Sequence, residues 1–140
     1  MVTNATRYFW QKAVTCNARQ MLHLAEASLE RGSTIEAGCR LREAVRVWLE
    51  AECQYGQCAP KSCGKRSTRP SPRTLAFALR NAGHCSREKV DDIIDILRIG
   101  NDAAHLVAVR PELVLAAISL LHAYLDRSPY LIESTKGGRS

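Results

Sequence analysis

The 140-residue sequence lacks an apolar run long enough to cross a bilayer: its longest, Leu113 to Tyr124, is interrupted by Ser119 and His122. Its first residues, Met1-Val2-Thr3-Asn4-Ala5-Thr6-Arg7, do not show the basic-then-apolar pattern of a secretory signal. The expectation is therefore a cytoplasmic protein with no membrane partner. No segment alternates polar and apolar residues convincingly enough to read as a strand, and no internal repeat is visible. The sequence also has no glycine-rich phosphate loop, no Ser-His-Asp constellation and no EF-hand pattern, which removes the commonest nucleotide-dependent, hydrolytic and calcium-binding readings.

Apolar residues make up 46% of the chain and charged residues 24%, ordinary values for one globular domain of this length. The whole of 1–140 reads as a single domain, with an ordered core over about 5–128 and a flexible tail over 134–140 rich in Gly and Ser. Helical spacing recurs throughout. Phe9, Trp10, Ala13, Val14, Met21, Leu22, Leu24 and Ala25 mark a first helix that ends at Gly32. Ser33-Thr34-Ile35-Glu36 matches a capping box and opens a second helix, with Ile35, Leu41, Val45 and Trp48 on one face, running to about Tyr55. So short a link predicts an antiparallel pair.

The pattern stops over 57–71, where Pro60, Gly64 and Pro70 stand among Ser, Lys and Arg. Ser71-Pro72 then begins a short helix ending near Gly83, and Ser86 caps another. In this fourth helix Val90, Ile93, Ile94 and Leu97 fall at i, i+3, i+4 and i+7, and Gly100 stands where it would end. Pro111 opens the last helix, with Leu113, Ala116, Ala117, Leu120, Leu121 and Tyr124 as its apolar face. The fold class is all-α, a four- to five-helix bundle with one long basic loop.

The net charge is +6, and it is concentrated: residues 61–90 carry eight Lys and Arg against one acid, while the flanking segments nearly balance. Lys61, Lys65, Arg66, Arg69 and Arg73 are therefore the candidate nucleic-acid-binding residues, where a polyanion would dock.

Six cysteines without a secretory signal read as thiols or metal ligands before disulfides. Cys16 and Cys39 occupy apolar positions of predicted helices and read as small buried hydrophobes. Cys53, Cys58, Cys63 and Cys85, with His84 beside the last, are the residues that would form a zinc site. Their spacing departs from the two to four intervening residues of structural zinc sites, so reduced thiols and no cofactor are expected. His23 and His122 fall within predicted helices and read as helix-face histidines rather than ligands.

Arg98 and His105 are seven residues apart, on one face if helix continues between them. If Gly100-Asn101-Asp102 instead stops and restarts the helix, free N–H groups lie near both. Either arrangement gathers polar groups suited to RNA cleavage by its own 2′-hydroxyl: histidine moves a proton near neutral pH, and arginine stabilises charge developing on phosphorus.

The stretch Ile93-Ile94-Asp95-Ile96-Leu97-Arg98-Ile99-Gly100-Asn101-Asp102-Ala103-Ala104-His105 resembles the signature of the HEPN superfamily. The likeness is strongest to an uncharacterised bacterial branch whose third main helix ends Leu-Arg-x-x-Gly-Asn-x-Ala-Ala-His. Arg42 to Glu50 is similar to an Arg-x-x-Glu pattern of that branch, and the resemblance spans about residues 5–128. It implies an all-helical homodimer that joins the Arg and His segments of both chains in one cleft. Many active members are metal-independent endoribonucleases of toxin, anti-phage or RNA-processing systems. By matching position Arg98 and His105 would be the catalytic pair. Active members carry Asn, Asp or His directly after the arginine; here Ile99 stands there, and Asn101 is the candidate orienting residue. The alternative is a non-catalytic interaction module binding itself or a partner protein encoded beside it.

Overall fold

A computed structural model of the chain describes residues 4–55, 70–105 and 109–126, with side chains over 16–53, 70–105 and 109–126. Among the described residues there are five helices and no strand: α1 (Asn4–Glu30), α2 (Thr34–Tyr55), α3 (Pro72–Asn81), α4 (Arg87–Ala104) and α5 (Pro111–Asp126). None is long and apolar enough to cross a membrane. The all-α expectation holds. Of the basic segment over 57–71 only Pro70 and Ser71 are described, and the 134–140 tail lies outside the described residues.

The helix ends follow from local chemistry. At the end of α1, Ser33 N–H donates to Ser28 C=O at 2.8 Å and Gly32 N–H to Leu29 C=O at 2.9 Å. At the end of α3, His84 N–H reaches Leu79 C=O at 2.9 Å and Gly83 N–H reaches Arg80 C=O at 3.0 Å. Both are Schellman closures, and Gly32 and Gly83 supply the required positive φ, +84° and +82°. Ser71 accepts from Thr74 N–H and Ser86 from Lys89 N–H, each at 3.1 Å, starting α3 and α4 as their sequences predict. Half of the expected capping box forms at α2: Glu36 N–H donates to Ser33 Oγ at 3.3 Å. The Glu36 carboxylate does not turn back to the cap. It takes Arg31 at 2.9 Å and Arg40 at 3.4 Å, and the Arg31 hydrogen bond is the largest cause holding its carboxyl below the usual range.

The α2 helix packs against each of the other four. Its buried Leu41, Val45 and Leu49 meet Leu22 of α1, Ile93 and Ile96 of α4, and Ile118 and Leu121 of α5 in one core. The α2–α4 interface differs at its two ends. At one, a Cβ on Gly38 would lie 2.7 Å from both Ala103 Cβ and Gly100 O, so the backbones touch with no room for a side chain. At the other, Trp48 stacks on Tyr124 with ring centroids 5.9 Å apart, and Lys89 Nζ lies 5.3 Å and 5.5 Å from the two rings. There Trp48 Nε1 donates to buried Glu52 at 2.8 Å, and the Tyr124 hydroxyl donates to Asp92. Burial is the main cause raising the Glu52 carboxyl above its ordinary value, against the opposing pull of Lys89.

Four sequence expectations are corrected. First, α4 does not end at Gly100 but continues to Ala104, because Gly100 is needed for close approach to α2 rather than for a positive φ. Second, Cys16 and Cys39 are exposed, and among the described residues the buried thiol is Cys53, whose Sγ faces Leu75 C=O at 3.5 Å. Third, Ile35 is exposed although Leu41, Val45 and Trp48 of its expected face are buried. Fourth, the buried side of α5 is Val114, Ala117, Ile118, Leu121 and Leu125, which leaves Leu113 48% and Leu120 37% exposed. That helix is apolar nearly all round, so its periodicity does not select one face.

Candidate nucleic-acid interface

On α2, Cys39, Arg42, Glu43 and Arg46 fall at i, i+3, i+4 and i+7 and form one stripe. On α4, Ile94, Leu97, Arg98, Asn101 and Asp102 form a second stripe at the same spacings. These stripes face one another across a groove of about 560 Å³, and Ser71, Pro72 and Arg73 at the start of α3 close a third side. Four guanidinium groups (Arg42, Arg46, Arg73, Arg98) stand against two carboxylates (Glu43, Asp102), so the lining has a positive excess. The amino-terminal end of α3 adds its partial positive charge to the same space.

The four arginines are held to different degrees. Arg46 Nη1 donates to Pro70 C=O at 3.0 Å and lies 3.6 Å from Glu50, which anchors it between α2 and the start of α3. Arg42 Nη1 donates to Asn101 Oδ1 at 3.0 Å, linking the two stripes, while its buried Nε has no acceptor among the described residues. Arg73 is exposed. Arg98 is 69% exposed and meets Asp95 at 3.9 Å, a solvent-facing pair that holds a side chain weakly. Arg98 and Arg73 are thus the groove's most available cations.

Of the sequence-derived site residues, the groove gathers Arg98, Asn101 and Arg73. His105 does not line it. That residue is the C-cap of α4, exposed, with its backbone N–H donating to Asn101 C=O at 3.0 Å and Asp102 C=O at 3.3 Å. With helix running from Arg98 to Ala104, the two residues share a face about 10 Å apart along the axis. Ile99 is partly buried against the core, so the position after the arginine is a packing position. Lys61, Lys65, Arg66 and Arg69 lie outside the described residues, as do Cys58 and Cys63. Cys53 is buried, and Cys85 is half-buried with its thiol pushed up chiefly by burial, which opposes the thiolate that zinc requires.

Sequence reasoning missed Arg42 and Arg46 as groove residues. Their signal was present as an i, i+4 pair on α2, but nothing local shows that this stripe faces Arg98 and Asn101. Comparisons with protein-family models, curated proteins and solved structures return no match to this chain.

Proposed function

We propose that this is a HEPN-like, RNA-associated protein that holds the sugar–phosphate backbone of a single strand in the groove between α2, α3 and α4. The observation that carries this reading is the convergence of Arg42, Arg46, Arg73 and Arg98 on one open space. Guanidinium forks match phosphate oxygens in pairs, and an open groove lined by four of them suits a continuous polyanion better than a small metabolite.

On this reading Arg98 and His105 are the catalytic pair of a metal-independent endoribonuclease of a toxin or defence system. His105 takes the proton of a 2′-hydroxyl, the freed oxygen attacks the adjacent phosphorus, Arg98 stabilises the added negative charge, and the bond to the 5′-oxygen breaks as that oxygen takes the proton back from the imidazolium. The product ends are a 2′,3′-cyclic phosphate and a 5′-hydroxyl. Because the two residues lie about 10 Å apart along one helix, this chemistry requires a homodimer in which His105 of one chain approaches Arg98 of the other. Exposed Leu113 and Leu120, seven residues apart on α5, offer apolar surface for such pairing.

A second reading, a non-catalytic module binding itself or a neighbouring-gene partner protein, is favoured by two contacts. Ile99 is committed to packing, and the Asn101 oxygen is already taken by Arg42. Purified protein incubated with single-stranded RNA in EDTA separates the two. The enzyme reading expects cutting that Arg98→Ala and His105→Ala each abolish, whereas cutting that survives both contradicts it. RNA neither cut nor bound selects the second reading, while RNA bound but left intact keeps the groove and removes the catalysis.

A further inference from the structure

Away from the groove, α1 and α5 meet along a polar seam. His23 and Glu26, three residues apart on α1, share a face, and His122 of α5 lies against them with its ring centroid 5.4 Å from that of His23. One ligand atom from each of the three lies within 4.8 Å of the others. Glu26 sits between the two rings: Oε1 is 3.3 Å from His23 Nδ1, and Oε2 is 3.6 Å from His122 Nε2.

These separations are long for hydrogen bonds, which run at about 2.7–3.2 Å for N–H···O. They run to different oxygens of Glu26, and one ligand atom from each residue lies within 4.8 Å of the others, so side-chain rotation must close the set for shared ligation. Nitrogen and oxygen ligands about 2.0–2.1 Å from a tetrahedral zinc ion lie roughly 3.3–3.4 Å from one another. Two imidazoles and one carboxylate from two facing helices are also a recurrent ligand set of helix bundles, and three protein ligands leave the fourth position to water.

We infer that His23, Glu26 and His122 bind one divalent transition-metal ion of the zinc class, tying α1 to α5.

Arg19 opposes the ion. Its Nη1 is 3.2 Å from His122 Nδ1, and its Nη2 pairs with Asp126. A guanidinium only donates, so Nδ1 accepts and the imidazole proton lies on Nε2, towards Glu26. Ligation through Nε2 moves that proton to Nδ1, and Arg19 then leaves the ring and remains on Asp126. Burial already lowers the His122 pKa and so favours the neutral ring that a metal requires. Arg19→Met, which removes the competing donor and its charge, is expected to tighten binding severalfold.

The test is a titration of the full chain with zinc chloride, followed by NMR of the imidazole signals of its four histidines. His23 and His122 are expected to shift together and saturate at one ion per chain, with His84 and His105 unmoved. His23→Ala and Glu26→Gln should each weaken binding at least tenfold, while Cys58→Ser with Cys63→Ser should leave it intact. Unshifted His23 and His122 signals, or binding that follows His84 and the cysteines instead, would overturn the site.

Discussion

The two ends of the α2–α4 interface solve opposite problems, one by direct backbone contact and the other with Tyr124 of α5 joining the two helices. At the Gly38–Gly100 end the backbones touch, and only hydrogen atoms separate them. At the Trp48–Lys89 end an indole, a phenol and an ammonium group fill the space, and a buried carboxylate needs partners. Side-chain size sets how closely helices approach. The close end therefore fixes where α4 sits, and it brings Arg42 within reach of Asn101 on the groove side. The wide end tolerates charge because Trp48 donates to Glu52 and the Lys89 ammonium lies near it.

The largest expected effect comes from breaking the close end. Gly38→Ala would put its Cβ 2.7 Å from a backbone oxygen and 2.8 Å from the Ala104 nitrogen, atoms that cannot step aside singly. Allowing for the better helix propensity of alanine, a net loss of about 2–3 kcal/mol is expected, read by urea denaturation. A loss below about 0.5 kcal/mol would mean that the crossing is looser than described.

At the wide end, Glu52→Gln keeps an acceptor for Trp48 Nε1 and removes the charge. The folded pKa of Glu52 lies above its unfolded value. Its contribution is then fully present below the unfolded pKa and is lost as pH rises through the folded one, so the ionised form destabilises at neutral pH. The variant is expected to melt above the wild type at pH 7, with the difference closing towards pH 4. The opposite slope would show that Lys89 outweighs desolvation.

Gly100→Ala should change stability least. Its Cβ would meet Arg42 Cγ at 3.0 Å and Gly38 O at 3.4 Å, a milder conflict offset by about 1 kcal/mol of helix propensity. Because Arg42 must move, the variant should keep nearly wild-type stability yet bind RNA more weakly, which separates packing from binding at one position.

Most of the helices were legible because their ends carry local chemistry. Ser71, Ser86 and Pro111 start them, and Gly32 and Gly83 end two of them where a positive φ is required. The same rule misreads Gly100, since a glycine kept for close approach looks, in sequence, like one kept for a turn. On α5 the near-continuous apolar composition hides which side is buried. The candidate site was half legible. Arg98, Asn101 and Arg73 follow from motif and charge, whereas Arg42 and Arg46 join them only through tertiary contact. His23 and Glu26 show their helical spacing, but His122, on the last helix, joins them only in the fold.

The central claim is that the arginine groove holds RNA phosphates, and the salt dependence of affinity tests it most directly. Binding of a fluorescent single-stranded RNA would be measured across a series of salt concentrations for the wild type and for the Arg73→Gln/Arg98→Gln double variant. Each phosphate contact to a single strand contributes about 0.7 to the slope of log affinity against log salt. The double variant should bind about tenfold more weakly near physiological salt, with a slope shallower by about 1.4 and an unchanged melting temperature. Equal slopes and equal affinities for the two proteins would contradict the account.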